Sequence, residues 1–149
     1  MVRQKYLTIP AMVGFITFMN IYPPLATDMY LPALPELGKY FGAAEFLVGL
    51  TLTIFFLMFA VSMVIFGPLS DKYGRKPILI FGAVIFTIAS IACATASNIY
   101  ILLAGRFFEG VGSGAIITVA TTIIKDSFRG KLMTNILVIT QALGVIGPM

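Results

Sequence analysis

The sequence has 149 residues, of which 59% are hydrophobic and 11% are charged, with no His and no Trp. A soluble domain carries roughly a quarter charged residues, so this composition excludes an ordinary water-soluble protein and indicates a membrane protein. The formal charge of +4 comes from short clusters between apolar stretches, where membrane topology accounts for it. No nucleic-acid partner is therefore expected.

Long apolar stretches predict an all-α membrane protein with four complete transmembrane helices and the start of a fifth. Each complete stretch reaches the ~20 apolar residues that cross a bilayer core. Helices are favoured because lipid tolerates only helices and closed barrels, and the alternation of a barrel strand is absent from this sequence. Ser97-Asn98 suits the cap of the fourth helix. The predicted spans are residues 7–30, 45–70, 77–96, 99–124 and 132–149.

The positive residues predict the orientation of the spans. If the chain crosses the membrane four times, eight Lys and Arg residues fall on one side and only Lys39 falls on the other. Cytoplasmic loops carry such an excess of positive charge. The N-terminus and the turn at 71–76 are therefore predicted to face the cytoplasm.

The densest group of charges is the segment GPLSDKYGRKP at 67–77, between the second and third spans. Topology alone accounts for its Lys and Arg residues as positive anchors. It does not account for Asp71, because an acid contributes little to orientation and weakens a positive anchor. Asp71 lies within local reach of Arg75, and Gly74 can supply the positive φ of a tight turn.

This segment resembles the signature between the second and third helices of the major facilitator superfamily of transporters. The matching positions are Gly67, Leu69, Asp71, Gly74, Arg75, Lys76 and Leu79, with Lys72 where Arg is common. Two further segments resemble family motifs, namely RFFEGVG from Arg106 in the fourth helix and Gly147-Pro148 in the fifth. The segment TDMYLPALP at 27–35 resembles the end of the first helix in the bicyclomycin-resistance type of drug:proton antiporter.

The resemblance implies two six-helix bundles around a central cavity that opens alternately to the two sides of the membrane. The chain then corresponds to part of the N-terminal bundle, in the inner (plasma) membrane of a bacterium, and the C-terminal half is its missing partner. Asp71 is expected to face the N-terminus of a helix in that half, where a carboxylate gains ~0.3–1 kcal/mol. The implied cytoplasmic conformational latch consists of Gly67, Asp71, Gly74, Arg75 and Lys76.

Arg106 lies inside the fourth predicted span, roughly 10 Å below its outer end at ~1.5 Å per residue. An arginine there costs ~2.5–3.5 kcal/mol, so it needs a polar cavity or a partner. Glu109 is three positions further on, nearly on the same face, where the family usually has Gln. The two residues form either a self-neutralising pair that only packs or, as the resemblance implies, part of the transport path that influences proton coupling.

Asp28 follows the Pro23-Pro24 pair in the first span. It lies within the membrane if the helix continues to about residue 31, and in a wetted loop if the helix stops at the prolines. Continuation is favoured because the next three residues are apolar. A proton and a cationic drug can displace each other from such an acid, so the predicted substrate and proton pathway consists of Asp28, Arg106 and Glu109.

The small residues are assigned to packing. Gly110 and Gly114 have the small-xxx-small spacing of closely packed membrane helices, and the family resemblance adds Gly147 and Pro148. Cys93 is the only cysteine, which excludes an intrachain disulfide and a cysteine-based metal cluster, and it is interpreted as a small packing residue.

The predicted function is the N-terminal part of a secondary multidrug exporter that exchanges drug for protons. Its partners are a drug-like small molecule, protons and the lipid bilayer, and its energy source is the proton gradient, with no cofactor and no metal. One alternative is a metabolite or sugar transporter of the same superfamily, which would not require Asp28 for cation export. Another is a truncated, non-transporting membrane scaffold or interaction protein, which the end of the chain at Met149 favours. An enzyme is not expected, because a metal-ligand set, a nucleophile with a His base and a nucleotide loop are all absent from the sequence. The 149-residue chain alone is expected to be inactive.

Overall fold

The computed structural model describes residues 9–146, which form helices joined by short turns. These residues contain no strand, and the prediction of an all-α fold is confirmed. The helices are α1 (Ile9–Tyr30), α2 (Leu34–Phe41), α3 (Glu45–Tyr73), α4 (Arg75–Ala94), α5 (Ile99–Ser127) and α6 (Lys131–Ile146), and a 3₁₀ turn at Leu31–Ala33 joins α1 to α2. Within the described residues, α3, α4 and α5 are long and apolar enough to cross a membrane.

The helix ends follow from local chemistry. Asn98 caps α5, and its side-chain oxygen accepts a hydrogen bond from the Tyr100 backbone N–H at 3.0 Å, as the sequence predicts. Gly74 has φ +97° and makes the turn between α3 and α4 by itself. Helix α4, the third predicted span, therefore begins at Arg75 rather than at Pro77, and the proline occupies the first turn, where its missing N–H costs nothing.

The first part of the chain contains two helices, one expected from the sequence and one not. Helix α1 continues through Pro23 and Pro24 to Tyr30, as favoured from the sequence. The short helix α2, which ends at Gly42 in a left-handed conformation, was not predicted. It contains Pro35 and Gly38, which disfavour a helix in the sequence pattern, although a proline is tolerated in a first turn, where no backbone donor is needed.

Helix α5 lies at the centre and packs along both α3 and α4. Glycines on two of its faces allow this. A Cβ on Gly110 or Gly114 would lie 2.5–2.6 Å from a backbone oxygen of α3, and a Cβ on Gly112 would lie 2.7 Å from the Phe86 nitrogen of α4. Ser62 Oγ donates a hydrogen bond to the Val111 carbonyl at 2.6 Å and links α3 to α5. The packing role predicted for Gly110 and Gly114 thus corresponds to a close contact between α5 and the backbone of α3. Gly147 and Pro148 lie outside the described residues.

The outward faces of α3 and α4 are apolar. Helix α1 packs on α5 and α6 through an apolar cluster that contains Ile16, Ala120 and Ile124. Large side chains on the outer faces have no such cover, and they match a hydrocarbon solvent rather than water. They include Phe56, Leu57, Val64, Ile65, Val84 and Ile88.

Candidate functional site: a buried ion pair on a membrane cavity

The centre of the site is an ion pair inside α5. Arg106 is 5% exposed and Glu109 is 3% exposed, and Arg106 Nη1 lies 3.0 Å from Glu109 Oε2. The pair is spaced i, i+3 on one face of the helix, so one turn of α5 brings both charges together. Two opposite charges in this position neutralise each other, which lowers the cost of burying either.

Helix α4 supplies two more groups to this pair. Ser90 Oγ donates a hydrogen bond to Glu109 Oε1 at 3.0 Å, and Cys93 Sγ lies 3.8 Å from Glu109 Oε2. Each of the two carboxylate oxygens therefore has a partner within this chain. Cys93 is more than the small packing residue that the sequence suggested, because its thiol is a weak donor to the buried acid.

The end of α1 covers the other side of the arginine. The guanidinium carbon of Arg106 lies 3.6 Å from the ring centroid of Tyr30. The Tyr30 hydroxyl lies 2.7 Å from Thr51 Oγ on α3, and Thr51 donates its single hydrogen to the Val48 carbonyl at 2.6 Å. The tyrosine is therefore the donor to Thr51, and its ring is fixed against the guanidinium.

The ion pair lines a cavity of about 430 Å³. Its walls come from α1, α2, α4 and α5, and they are mostly apolar, with Tyr22, Met29, Phe86 and Leu102 among them. A largely apolar pocket with a few polar groups is the usual form of a small-molecule site. The geometry therefore assigns Arg106 and Glu109 to the cavity rather than to packing alone.

Asp28 occupies a different position from the other two predicted pathway residues. It lies in the last turn of α1, as favoured from the sequence, but its side chain is exposed and is not among the cavity-lining groups. Its neighbours Met29 and Tyr30 do line the cavity. The structure thus brings Arg106 and Glu109 together and places Asp28 at the margin.

A second polar group, the turn cluster, joins Ser70, Asp71, Arg75 and Asp126 where α3 ends, α4 begins and α5 ends. Arg75 Nη1 lies 2.6 Å from Asp71 Oδ1 and donates to Ser70 Oγ at 2.6 Å. Arg75 Nε and Nη2 both donate to Asp126 Oδ2, at 3.0 and 2.8 Å. One guanidinium therefore ties three helix ends together. Lys76 is exposed beside it.

Sequence reasoning missed four of these side chains. Asp126 carries the same signal that singled out Asp71, an acid among positive residues at a predicted cytoplasmic turn. Ser90 and Thr51 are small polar residues inside apolar spans, and a helical wheel gives no reason to prefer them over other serines and threonines. Tyr30 follows the predicted acid by two residues, but only the fold shows that its ring faces Arg106.

Comparison with known proteins identifies the family. The family model of the Major Facilitator Superfamily matches residues 11–149. An uncharacterized MFS-type transporter, YdgK of Bacillus subtilis, is 34% identical over 143 residues, covering 93% of this chain and 36% of that protein. The multidrug resistance proteins MdtL of Klebsiella pneumoniae and of Salmonella typhi are 36% and 34% identical over 129 residues, each alignment covering 84% of this chain and 33% of the relative. The chain thus spans about a third of the length of these relatives.

The matches agree with the helical architecture and with the turn signature at 67–77. The long apolar helices and their uncovered outer faces make this a multi-pass membrane protein. The chain belongs to the Major Facilitator Superfamily, a family of membrane transporters rather than enzymes.

Proposed function

We propose that this chain is the N-terminal part of a multidrug exporter that exchanges its substrate for protons. The observation that carries the proposal is the buried Arg106–Glu109 pair on an apolar cavity. Charged residues inside a membrane bundle are costly, and they mark substrate or ion pathways. The names of the MdtL relatives support export of drugs over import of a nutrient.

In the proposed mechanism the apolar walls hold the hydrophobic body of the substrate, and the ion pair orients its polar group. Asp28 is the proposed proton carrier. It lies next to two cavity-lining residues, it is exposed, and it has no ion-pair partner among the described residues. Substrate and proton would then be handled by neighbouring groups on α1 and α5.

The turn cluster is the proposed conformational latch. In the proposed orientation it lies on the cytoplasmic side, because most Lys and Arg residues lie on that side of the spans. Arg75 is held by Asp71 and Asp126, and Asp71 remains 65% exposed. An exposed carboxylate at this place can dock on the N-terminus of another helix in a longer protein and release it when the halves rock.

The proposal is tested with the complete coding sequence that contains residues 1–149, expressed in cells with a low efflux background. Retention of fluorescent cationic, zwitterionic and anionic dyes is measured with and without a protonophore. We expect export of at least one dye, its loss with the protonophore, and its loss in Arg106→Gln. Arg129→Gln, which removes an exposed arginine outside the site, is the matched control.

Dye export that persists in the presence of the protonophore would contradict proton exchange. Proton-driven uptake of a sugar or amino acid, with no dye export, would contradict the multidrug function and favour a metabolite transporter. We also propose that residues 1–149 alone do not transport, because they correspond to about a third of the relatives' length. Proton-dependent dye export by the purified chain in vesicles would contradict this.

A further inference from the structure

The polar atoms of the ion pair differ in how well they are satisfied. Glu109 Oε1 accepts from Ser90, and Oε2 is close to both Arg106 and Cys93. Both carboxylate oxygens thus have partners in this chain, and Arg106 offsets the charge of the acid. A positively charged ligand would have to compete with Arg106 for this acid.

The buried N–H donors of Arg106, in contrast, lack hydrogen-bond partners in the described part of the chain. Its Nε and Nη1 are buried and have no hydrogen-bond acceptor among the described residues. The 3.0 Å contact of Nη1 with Glu109 is an ion pair without hydrogen-bond geometry. A guanidinium presents five N–H donors around its edge, and leaving a buried donor unpaired is costly, more so for a charged group.

The surroundings of Arg106 narrow the nature of the acceptor. The Tyr30 ring packs against the guanidinium, with its centroid 3.6 Å from the guanidinium carbon. The cavity beside it is mostly apolar and large enough, at about 430 Å³, for a ring system with one polar substituent. Among the described residues, the buried polar atoms of this site that lack a hydrogen-bond partner are N–H donors of Arg106.

We propose that the cavity binds a small molecule with an apolar body and a carboxylate or carbonyl oxygen, and that this oxygen accepts hydrogen bonds from Arg106. The inference rests on the proposed transport function and specifies its substrate class. An organic cation is disfavoured, because Arg106 repels it, Glu109 is already engaged, and the Tyr30 face that could receive it is occupied. This differs from the cation-for-proton exchange considered from the sequence.

The test compares three probes with the same ring: 2-naphthoate, 2-naphthamide and 2-naphthamidinium. They present a charged acceptor, a neutral carbonyl and a cationic donor. Binding to the complete protein in nanodiscs is measured by equilibrium dialysis. We expect 2-naphthoate to bind at least about tenfold more tightly than 2-naphthamidinium, with 2-naphthamide between them, because hydrogen bonds between ionised partners are the strongest of the three.

Two variants assign the effect to the site. Arg106→Gln should weaken 2-naphthoate binding at least about tenfold, and Arg129→Gln should leave it unchanged. Glu109→Gln keeps the shape of the side chain but removes the competing negative charge, so it should strengthen 2-naphthoate binding. The Glu109→Gln comparison carries the test if Arg106→Gln does not fold.

Three results would overturn the inference. One is no detectable 2-naphthoate binding up to its solubility limit. Another is tighter binding of 2-naphthamidinium that Glu109→Gln weakens, which would make Glu109 the ligand-binding group. The third is 2-naphthoate binding that is the same in Arg106→Gln or no stronger in Glu109→Gln, which would mean that another part of the protein supplies the acceptor for Arg106. Because binding is measured without transport, failure of dye export leaves this result readable on its own.

Discussion

Tyr30 and Arg106 are stacked, with the guanidinium carbon 3.6 Å from the ring centroid. The tyrosine hydroxyl also donates to Thr51 on α3. A single side chain at the end of α1 thus contacts both α3 and α5. The ring therefore positions the arginine. Movement of the end of α1 would shift Arg106 and so change its ion pair with Glu109.

This arrangement predicts a graded response at Tyr30. Tyr30→Phe keeps the ring face and loses only the hydrogen bond to Thr51, which should cost about 1 kcal/mol of unfolding free energy. Tyr30→Leu also loses the cation–π contact and should cost about 2 kcal/mol or more. Thermal unfolding of the complete protein in detergent measures both. Equal stability of the two variants would show that the ring face does not hold Arg106.

The contact between α3 and α5 gives a second prediction. In Gly114→Ala the new Cβ would meet the Phe59 carbonyl oxygen at 2.6 Å, so the two helices must separate, which should cost about 1–3 kcal/mol. Gly49→Ala is the matched control, because Gly49 lies on α3 with nothing within 4 Å of the added Cβ. It should gain about 0.5–1 kcal/mol from the higher helix propensity of alanine. Similar melting temperatures of the two variants would contradict the close approach.

The fold was largely predictable because lipid imposes a simple rule on the sequence. Apolar stretches of ~20 residues that lack the alternation of a barrel strand are expected to be helices, and the structure has α3, α4 and α5 within a few residues of the predicted bounds. The short helix α2 was missed because it has neither the length nor the uniform hydropathy of a span. Propensity alone does not distinguish such a helix from a loop.

The site was predictable only in part. A buried charge is conspicuous in an apolar span, so Arg106 and Glu109 were found from cost alone. Their neighbours Ser90, Cys93 and Tyr30 come from other helices, and the rotations of α1 and α4 about their axes decide which side chains face the pair. The rotation of α4 depends on its close contact with Gly112 of α5, and that of α1 depends on its apolar contact with α5 and α6. A one-dimensional pattern does not contain these contacts.

The turn cluster gives a third prediction, an energetic coupling between Arg75 and Asp126. Two N–H groups of Arg75 donate to one oxygen of Asp126, but that carboxylate side chain is 57% exposed, so solvent screening limits the pair to about 0.5–1 kcal/mol. A double-mutant cycle of Arg75→Gln and Asp126→Asn on thermal stability should give this value at low salt. The coupling should fall between about 0.05 and about 1 M salt.

A control cycle pairs Arg75→Gln with Glu45→Gln. Glu45 lies at the start of α3, at the opposite end of that helix from the turn, and it should show no coupling. Coupling of Arg75 to Asp126 no larger than that of the control pair would mean that this ion pair does not contribute to stability.

The last prediction separates proton coupling from substrate binding at Asp28. Its exposed carboxylate lies at the end of α1, outside the cavity that contains Arg106 and Glu109. If Asp28 carries the proton and the buried pair carries the substrate, Asp28→Asn should lower export driven by a pH gradient at least about tenfold, because the amide cannot titrate. Exchange of labelled for unlabelled substrate across vesicles needs no proton movement and should persist. Glu36→Gln, which removes another exposed acid on α2, should leave both activities intact. Undiminished gradient-driven export in Asp28→Asn would remove this residue from the proton path, and loss of both activities would place it in substrate binding. The two measurements together therefore decide whether Asp28 moves the proton.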